Sequence, residues 1–434
     1  MKPQRADAVR AELQALLATQ RRRVVAHLAR SLGLSHLALA EDAVQSAALR
    51  ALEVWPLQGV PANPAGWLFR VVRHDAIDAL RVAGRHDAWP EEGAAAEAAL
   101  PRTPAPSGRL AGELDDEELA LLFTACHPAV PLASQVALAL ALALRVMAGL
   151  DHATIAAAVL CSEAALTQRL ARARVALSPE TLRLPAGHEL PPRREAVLTV
   201  LALAFHAGAR ARTRGLPAAE GLQLCWEAIR LARALTAHPV TAHADADALA
   251  ALLLLHSAQL TGQLDEAGDI VLLPGQPRDR WDAGLVRMGL QHLQAAQRAE
   301  RLTRWHLQAA VAAEHALAAD YASTDWHSIV LYYETLLALD ASAAPRLGHA
   351  IALAEGGEPA RALGLLQALQ RDLPAALLPY LRAAQARAHE RLGDEAAARR
   401  LLHQAVAAAP HAADARALAR RAEALGDPPQ GRPG

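Results

Sequence analysis

Residues 63–81 read Asn63-Pro-Ala-Gly-Trp-Leu-Phe-Arg-Val-Val-Arg-His-Asp-Ala-Ile-Asp-Ala-Leu-Arg81. Asn63 can cap a helix, and Pro64 then sits in the first turn, where its missing N–H costs nothing. At helical period Leu68, Val72, Ala76, Ala79 and Leu80 fall on one side, which is expected to be buried. Arg70, His74 and Arg81 fall opposite, flanked by Trp67 and Arg73. Guanidiniums neutralise phosphate and an indole stacks on an unpaired base, so this stripe suits nucleic acid. The competing reading is an ordinary surface helix with Trp67 half-buried.

The rest of the chain has to be compatible with such a helix. Of its 434 residues 53% are hydrophobic but only 3% aromatic. Ala, Leu, Arg and Glu favour helix, while β-branched and aromatic residues are too sparse for a large sheet, so the fold is expected to be all-α. The length exceeds one ordinary core and predicts roughly two to four domains. A net charge of −1 excludes a global field that drives the chain onto a polyanion, so any nucleic-acid surface must be local. Lys2 is the only lysine; the other basic residues are arginine, the better bidentate phosphate ligand. Cys126, Cys161 and Cys225 lie far apart without metal-type spacing, which fits a reducing compartment. The N-terminus lacks the apolar core of a signal peptide, and the longest apolar run, residues 136–144, falls short of the ~20 needed to span a bilayer. The expectation is a soluble cytoplasmic protein with no membrane partner.

In chain order, residues 5–30 predict a helix carrying the basic cluster Arg21-Arg22-Arg23. A second helix, 36–54, contains Ala40-Glu41-Asp42-Ala43-Val44-Gln45 and is expected to end at Trp55-Pro56, since proline disfavours helical geometry before it. The 63–81 helix completes a three-helix core. From Ala88 to Gly112 the composition turns to Ala, Pro, Gly and Glu, which predicts a mobile linker. Helices resume at Glu113, where Asp115, Asp116, Glu117 and Glu118 complement a helix N-terminus. Gly149 to Ser162 reads as a short helix and a tight turn, and Ser162 caps a second helix, 163–177. On that helix Leu166, Leu170, Ala173 and Leu177 form the buried stripe, while Ala165, Gln168, Arg169 and Arg172 point away. The spacing is that of a helix-turn-helix whose second helix carries Gln and Arg into a major groove, although helical hairpins with exposed Arg share it. Beyond the prolines at 179–192 the chain continues in Ala/Leu-rich helices. Gly356 to Leu363 and Gly393 to Leu401 look like successive tetratricopeptide-type turns, arrays of which position proteins.

The order of these pieces is more specific than any one of them. An acidic helix with Glu41, Asp42 and Gln45 precedes Trp67-Leu68, Arg73-His74 and Asp78-x-x-Arg81; a linker and a helix-turn-helix follow. The chain resembles an extracytoplasmic-function (ECF) sigma factor of the sigma-70 class. Residues 59–68, Leu122-Phe-Thr-Ala-Cys-His-Pro128, Asp279-Arg-Trp-Asp282 and Thr324-Asp-Trp326 resemble the subgroup with a helical-repeat C-terminal extension. The resemblance implies region 2 over 1–88, a linker over 89–112, region 4 over 113–180, the extension over 181–425 and a disordered tail over 426–434. It implies core RNA polymerase bound through Glu41, Asp42 and Gln45. It implies promoter DNA met at the minus-ten element by Trp67, Arg70, Arg73, His74 and Arg81, and at the minus-thirty-five element by Ala165, Gln168, Arg169 and Arg172. A signal protein on the extension is a candidate partner.

The sequence also departs from that pattern. Asp75 interrupts a run that relatives keep basic, and only Arg85 remains of the basic run after Arg81. Around Val130 to Met147 the chain is about one helical turn longer. In the extension Phe205-His-Ala-Gly-Ala-Arg210 and Thr303-Arg304-Trp305 replace an Asn-Glu-Gly-Tyr run and a Gly-Pro-Tyr motif. A helical-repeat adaptor with a vestigial DNA-binding half, or a helix-turn-helix repressor, are the competing functions. The 19 His residues form no His-Glu-x-x-His motif, and no catalytic constellation, metal site or cofactor site is expected. Cys126 reads as a buried helix residue ahead of Pro128, Asp78 as a helix ion-pair partner of His74 and Arg81, and Trp281 and Trp326 as packing anchors.

Overall fold

The computed structural model describes residues 3–32, 36–83, 116–128, 132–148, 163–176, 185, 187–211, 218–371, 373, 377–409 and 411–425. Among them there is no strand beyond a single bridge between Leu264 and Ile270, and the fold is all-α as expected. The chain forms two compact units: Met1–Ala204 with His238–Thr241, and Phe205–Ala237 with Ala242–Gly434. The expected linker, 89–112, and the first helix of the expected helix-turn-helix, 149–162, lie outside the described residues.

Three long helices open the first unit: α1 (Pro3–Leu32), α2 (Leu37–Gln58) and α3 (Pro64–Ala83). Along its first half α1 buries only a narrow seam, Val9 and Leu13, against Ala51 and Trp55 of α2. Between Val24 and Ala29 nearly every residue is buried, because α1 there also meets α4 (Glu117–Ala125) and α5 (Leu132–Ala148). All nine residues of α4 are buried. Asp116 caps α4 by accepting from the N–H groups of Glu118 and Leu119, both at 3.0 Å, as its acidic start predicts. Burial of Glu117 and Glu118 needs partners, and α1 supplies them: Glu117 lies 3.2 Å from His27 Nδ1, and Glu118 lies 3.8 Å from Arg22 Nε. α6 (Glu163–Ala176) packs on α5, with Leu166 and Leu170 buried as expected.

The second helix does not stop at Trp55-Pro56. It carries Pro56 inside and runs on to Gln58, where Gly59, at φ +90°, turns the chain and donates to the Trp55 carbonyl at 2.8 Å. Proline removes one helical hydrogen bond, but Trp55 is 1% exposed in the core, and burying an indole outweighs that loss.

α7 (Arg194–Ala211) spans the boundary between the units. The second unit continues with α8 (Ala218–Ala237), α9 (Ala244–Gln259), α10 (Ala283–Ala296), α11 (Arg304–Leu317) and α12 (Trp326–Leu339). α9 is apolar from Ala248 to Leu255 and buried along almost its whole length, as a helix packed against α8, α10 and α11 must be. Gly289 of α10 permits a close approach to α9: a Cβ there would lie 2.8 Å from Leu255 Cγ. Thr303 caps α11 with His306, and Trp305 is buried beneath the Arg304 guanidinium, so the altered 303–305 motif is a helix start.

α13 (Ala343–Glu355), α14 (Pro359–Leu369), α15 (Leu378–Arg391), α16 (Glu395–Ala408) and α17 (Ala412–Ala424) complete the unit as consecutive packed helices. Gly357 and Gly393, at φ +99° and +80°, occupy the two turns that the repeat spacing picks out. Glu355, nearly buried, accepts from Tyr321 at 3.0 Å and pairs with Arg387, which also holds Glu390 at 2.9 Å.

Candidate nucleic-acid interface

The motif Asn-Pro-Ala-Gly-Trp builds the start of α3. Asn63 Oδ1 accepts the Gly66 N–H at 2.8 Å, and the Trp67 N–H donates to the Asn63 carbonyl at 3.0 Å. A Cβ at position 66 would approach Asn63 Nδ2 to 2.8 Å, so a larger residue there would push Asn63 from its capping position. Leu68, Val72 and Ala76 are fully buried, while Ala79 and Leu80 are only partly covered. Arg70, His74 and Arg81 are exposed, and Arg73 is half-exposed. One helix thus presents every residue of the expected stripe.

Two details change its chemistry. Trp67 is half-buried and meets Trp55 edge-on, with ring centroids 5.2 Å apart, so it anchors the helix and stays partly accessible. His74 lies 3.1 Å from Asp78, and Asp78 lies 3.5 Å from Arg81, so one carboxylate partly neutralises two members of the stripe. Asp75, in contrast, is turned away from it. Its carboxylate is 3.1 Å from Arg50 of α2 and mostly covered, so the acidic interruption belongs to the α2–α3 seam.

On α2, Asp42 and Gln45 are exposed and Glu41 is half-buried. The same face continues through Leu49 and Leu52, 63% and 41% exposed. Positions 42, 45, 49 and 52 form one helical stripe, polar at one end and apolar at the other, of the kind a partner protein covers. The sequence reading missed both leucines, although their spacing from Gln45 is the available signal. On α6, Gln168 is exposed and Ala165 half-buried; the side chains of Arg169 and Arg172 lie outside the described residues.

Other candidates resolve into structure. Cys126 is buried at the C-terminus of α4, and burial pushes its thiol up to about 12 despite the opposing pull of Arg193, which leaves it inert near neutrality. His243 caps α9 through a 3.2 Å bond from Asp245 N–H, and His238 accepts from Val240 N–H at 3.3 Å. Among the described residues no group of His, Cys, Asp and Glu has metal-holding geometry, and no helix is long and apolar enough to cross a membrane.

Residues 17–86, which contain both faces, match the family Sigma-70 region 2. Residues 193–297 match a family of unknown function (DUF6596). The chain is 35% identical over 387 residues to Uncharacterized protein R00370 of Rhizobium meliloti (strain 1021), covering 88% of each chain. The chain belongs to the family of that protein. The match over residues 17–86 supports a sigma-70 class factor and implies binding to core RNA polymerase. In this family member, therefore, the α2 stripe and the α3 stripe lie within one recognised module, and much of the second unit falls in the family of unknown function. No solved structure matches the chain.

Proposed function

We propose that the protein is an ECF-type sigma factor that brings core RNA polymerase to selected promoters and carries a tetratricopeptide-like regulatory extension. The observation that carries this reading is the region 2 match over a helix pair with two separate exposed faces. The polar-to-apolar face of α2, with Asp42, Gln45, Leu49 and Leu52, takes the polymerase. The cationic face of α3, with Arg70, Arg73, His74 and Arg81, takes minus-ten DNA, and the half-exposed Trp67 stacks on an unpaired base. Ala165, Gln168, Arg169 and Arg172 of α6 read the minus-thirty-five element. Region 2 over 1–88, the linker, region 4 over 113–180 and the extension over 181–425 remain the domain assignment. The mechanism is binding and strand capture, with nucleotide chemistry left to the polymerase.

Co-purification with core polymerase tests the reading. Asp42→Arg combined with Gln45→Ala is expected to weaken association while the circular dichroism spectrum stays native. Unchanged association would refute the polymerase face. A second reading, an adaptor whose DNA-binding half is vestigial, is favoured by the partial neutralisation of His74 and Arg81 by Asp78. It predicts polymerase binding without promoter-dependent transcription, which separates the two.

A further inference from the structure

We infer that a recess beside α10 in the second unit is a binding site for a small organic anion with a planar apolar body. The inference is independent of the sigma reading, because it is tested by binding alone.

α10 has two faces. Leu285, Gly289 and Ala296 are buried, with Gly289 against Leu255 of α9. On another face Val286 and Leu290 are half-exposed and Arg287 and Gln294 fully exposed, and these line a recess of about 420 Å³ with Arg278 and Trp281. That volume lies within the roughly 300–1,000 Å³ of small-ligand pockets, and such pockets pair an apolar wall with a few polar groups. Here the wall is the Trp281 indole with Val286 and Leu290, and the polar groups are two guanidiniums and glutamine amides.

The charge is one-sided. No carboxylate lines the recess. Arg287 forms no ion pair among the described residues. Arg278 lies over the Trp281 ring, 4.1 Å from its centroid, and donates through Nη1 to the Gln276 carbonyl at 3.3 Å. Its Nε and Nη2, like Trp281 Nε1, are covered and have no hydrogen-bond partner. Asp320 acts on Arg278 from outside the recess, but the Asp320 carboxylate is engaged by the Ser323 N–H at 2.8 Å. Arg278 is half-exposed, and together with the exposed Arg287 it gives the recess a positive side that an anion answers. The apolar wall favours an organic anion over an inorganic one, and a volume of about 420 Å³ suits a small molecule better than a peptide. Most of the site lies in the stretch matched by the family of unknown function.

The test uses the full-length chain and two fluorescent probes of similar shape, anionic 8-anilinonaphthalene-1-sulfonate and neutral N-phenyl-1-naphthylamine. The anionic probe is expected to saturate at one per chain. Arg287→Gln and Gln291→Glu change only exposed positions, and each is expected to weaken the anionic probe roughly tenfold, the scale of one partly solvated charge interaction. The neutral probe should change far less, and Leu290→Trp, which fills the recess, should remove both. Circular dichroism verifies the fold of each variant. Absence of a saturable site, or equal anionic affinity in native Arg287→Gln and Gln291→Glu proteins, would overturn the inference. Hexaglutamate binding there without the small probe would also overturn it, in favour of an acidic peptide.

Discussion

Acid should begin to destabilise the second unit before its carboxylates titrate. His206 and His256 lie 5.7 Å apart between ring centroids, next to Phe205, and His315 packs edge-on against Trp326 at 5.3 Å. Burial, with Arg210 adding repulsion, lowers His206 to about 4. Burial, with His206 and His315 adding repulsion, lowers His256 to about 3. Burial, then Arg278, lowers His315 to about 4. An unfolded histidine titrates near 6.5, so below that pH the unfolded chain binds protons that the folded chain does not. Stability is therefore full above about pH 6.5 and is lost as the pH falls through the window toward the folded values. From pH 7 to pH 5 each ring accounts for roughly 2 kcal/mol. Each ring keeps some exposure to solvent, so about 4 kcal/mol for the three together is the working figure. Urea unfolding of the full chain between pH 7 and 5, followed by circular dichroism, measures it. His256→Phe should remove about 2 kcal/mol of the pH dependence whatever it does to stability at pH 7. Identical pH slopes for the wild-type and His256→Phe proteins would refute the reasoning.

Asp78→Asn releases His74 and Arg81 and is expected to raise DNA affinity and the salt slope, whereas Asp75→Asn, facing Arg50, should leave both within about twofold. Filter binding across a salt series checks this, and equal effects of the two variants would contradict the assigned orientations. Replacing Gln168, Arg169 and Arg172 together by alanine is expected to weaken promoter binding, with the salt slope falling by about one unit for each phosphate no longer neutralised. Unaltered promoter binding and transcription would count against α6 as the reading helix. Glu355→Ala removes the acceptor of Tyr321 and Arg387 and should cost about 2–4 kcal/mol, read as a lower urea midpoint. A midpoint equal to wild type would show that solvent replaces those bonds.

Much of the fold was legible because its causes are local. Helical period places Leu68, Val72 and Ala76 inward, and caps such as Asn63 and Asp116 act within three residues of themselves. The same holds for Gly357 and Gly393, whose turns follow from a backbone conformation that glycine adopts freely. The exposure of Asp42 and Gln45 and the pairing of Asp78 with His74 and Arg81 were readable for the same reason. What the sequence could not decide was anything fixed by a distant partner. Pro56 breaks a helix by local rule, yet the burial of Trp55 carries α2 through it. Asp75 looks like a defect in a basic run until Arg50, on another helix, is seen to hold it. Glu117 and Glu118 read as charges that complement a helix start, and only the arrival of α1, with His27 and Arg22, makes their burial tolerable. Periodicity tells which face of a helix is apolar; which neighbour covers it, and which charges meet there, is set by packing across the chain, and a pattern of period 3.6 carries no record of that.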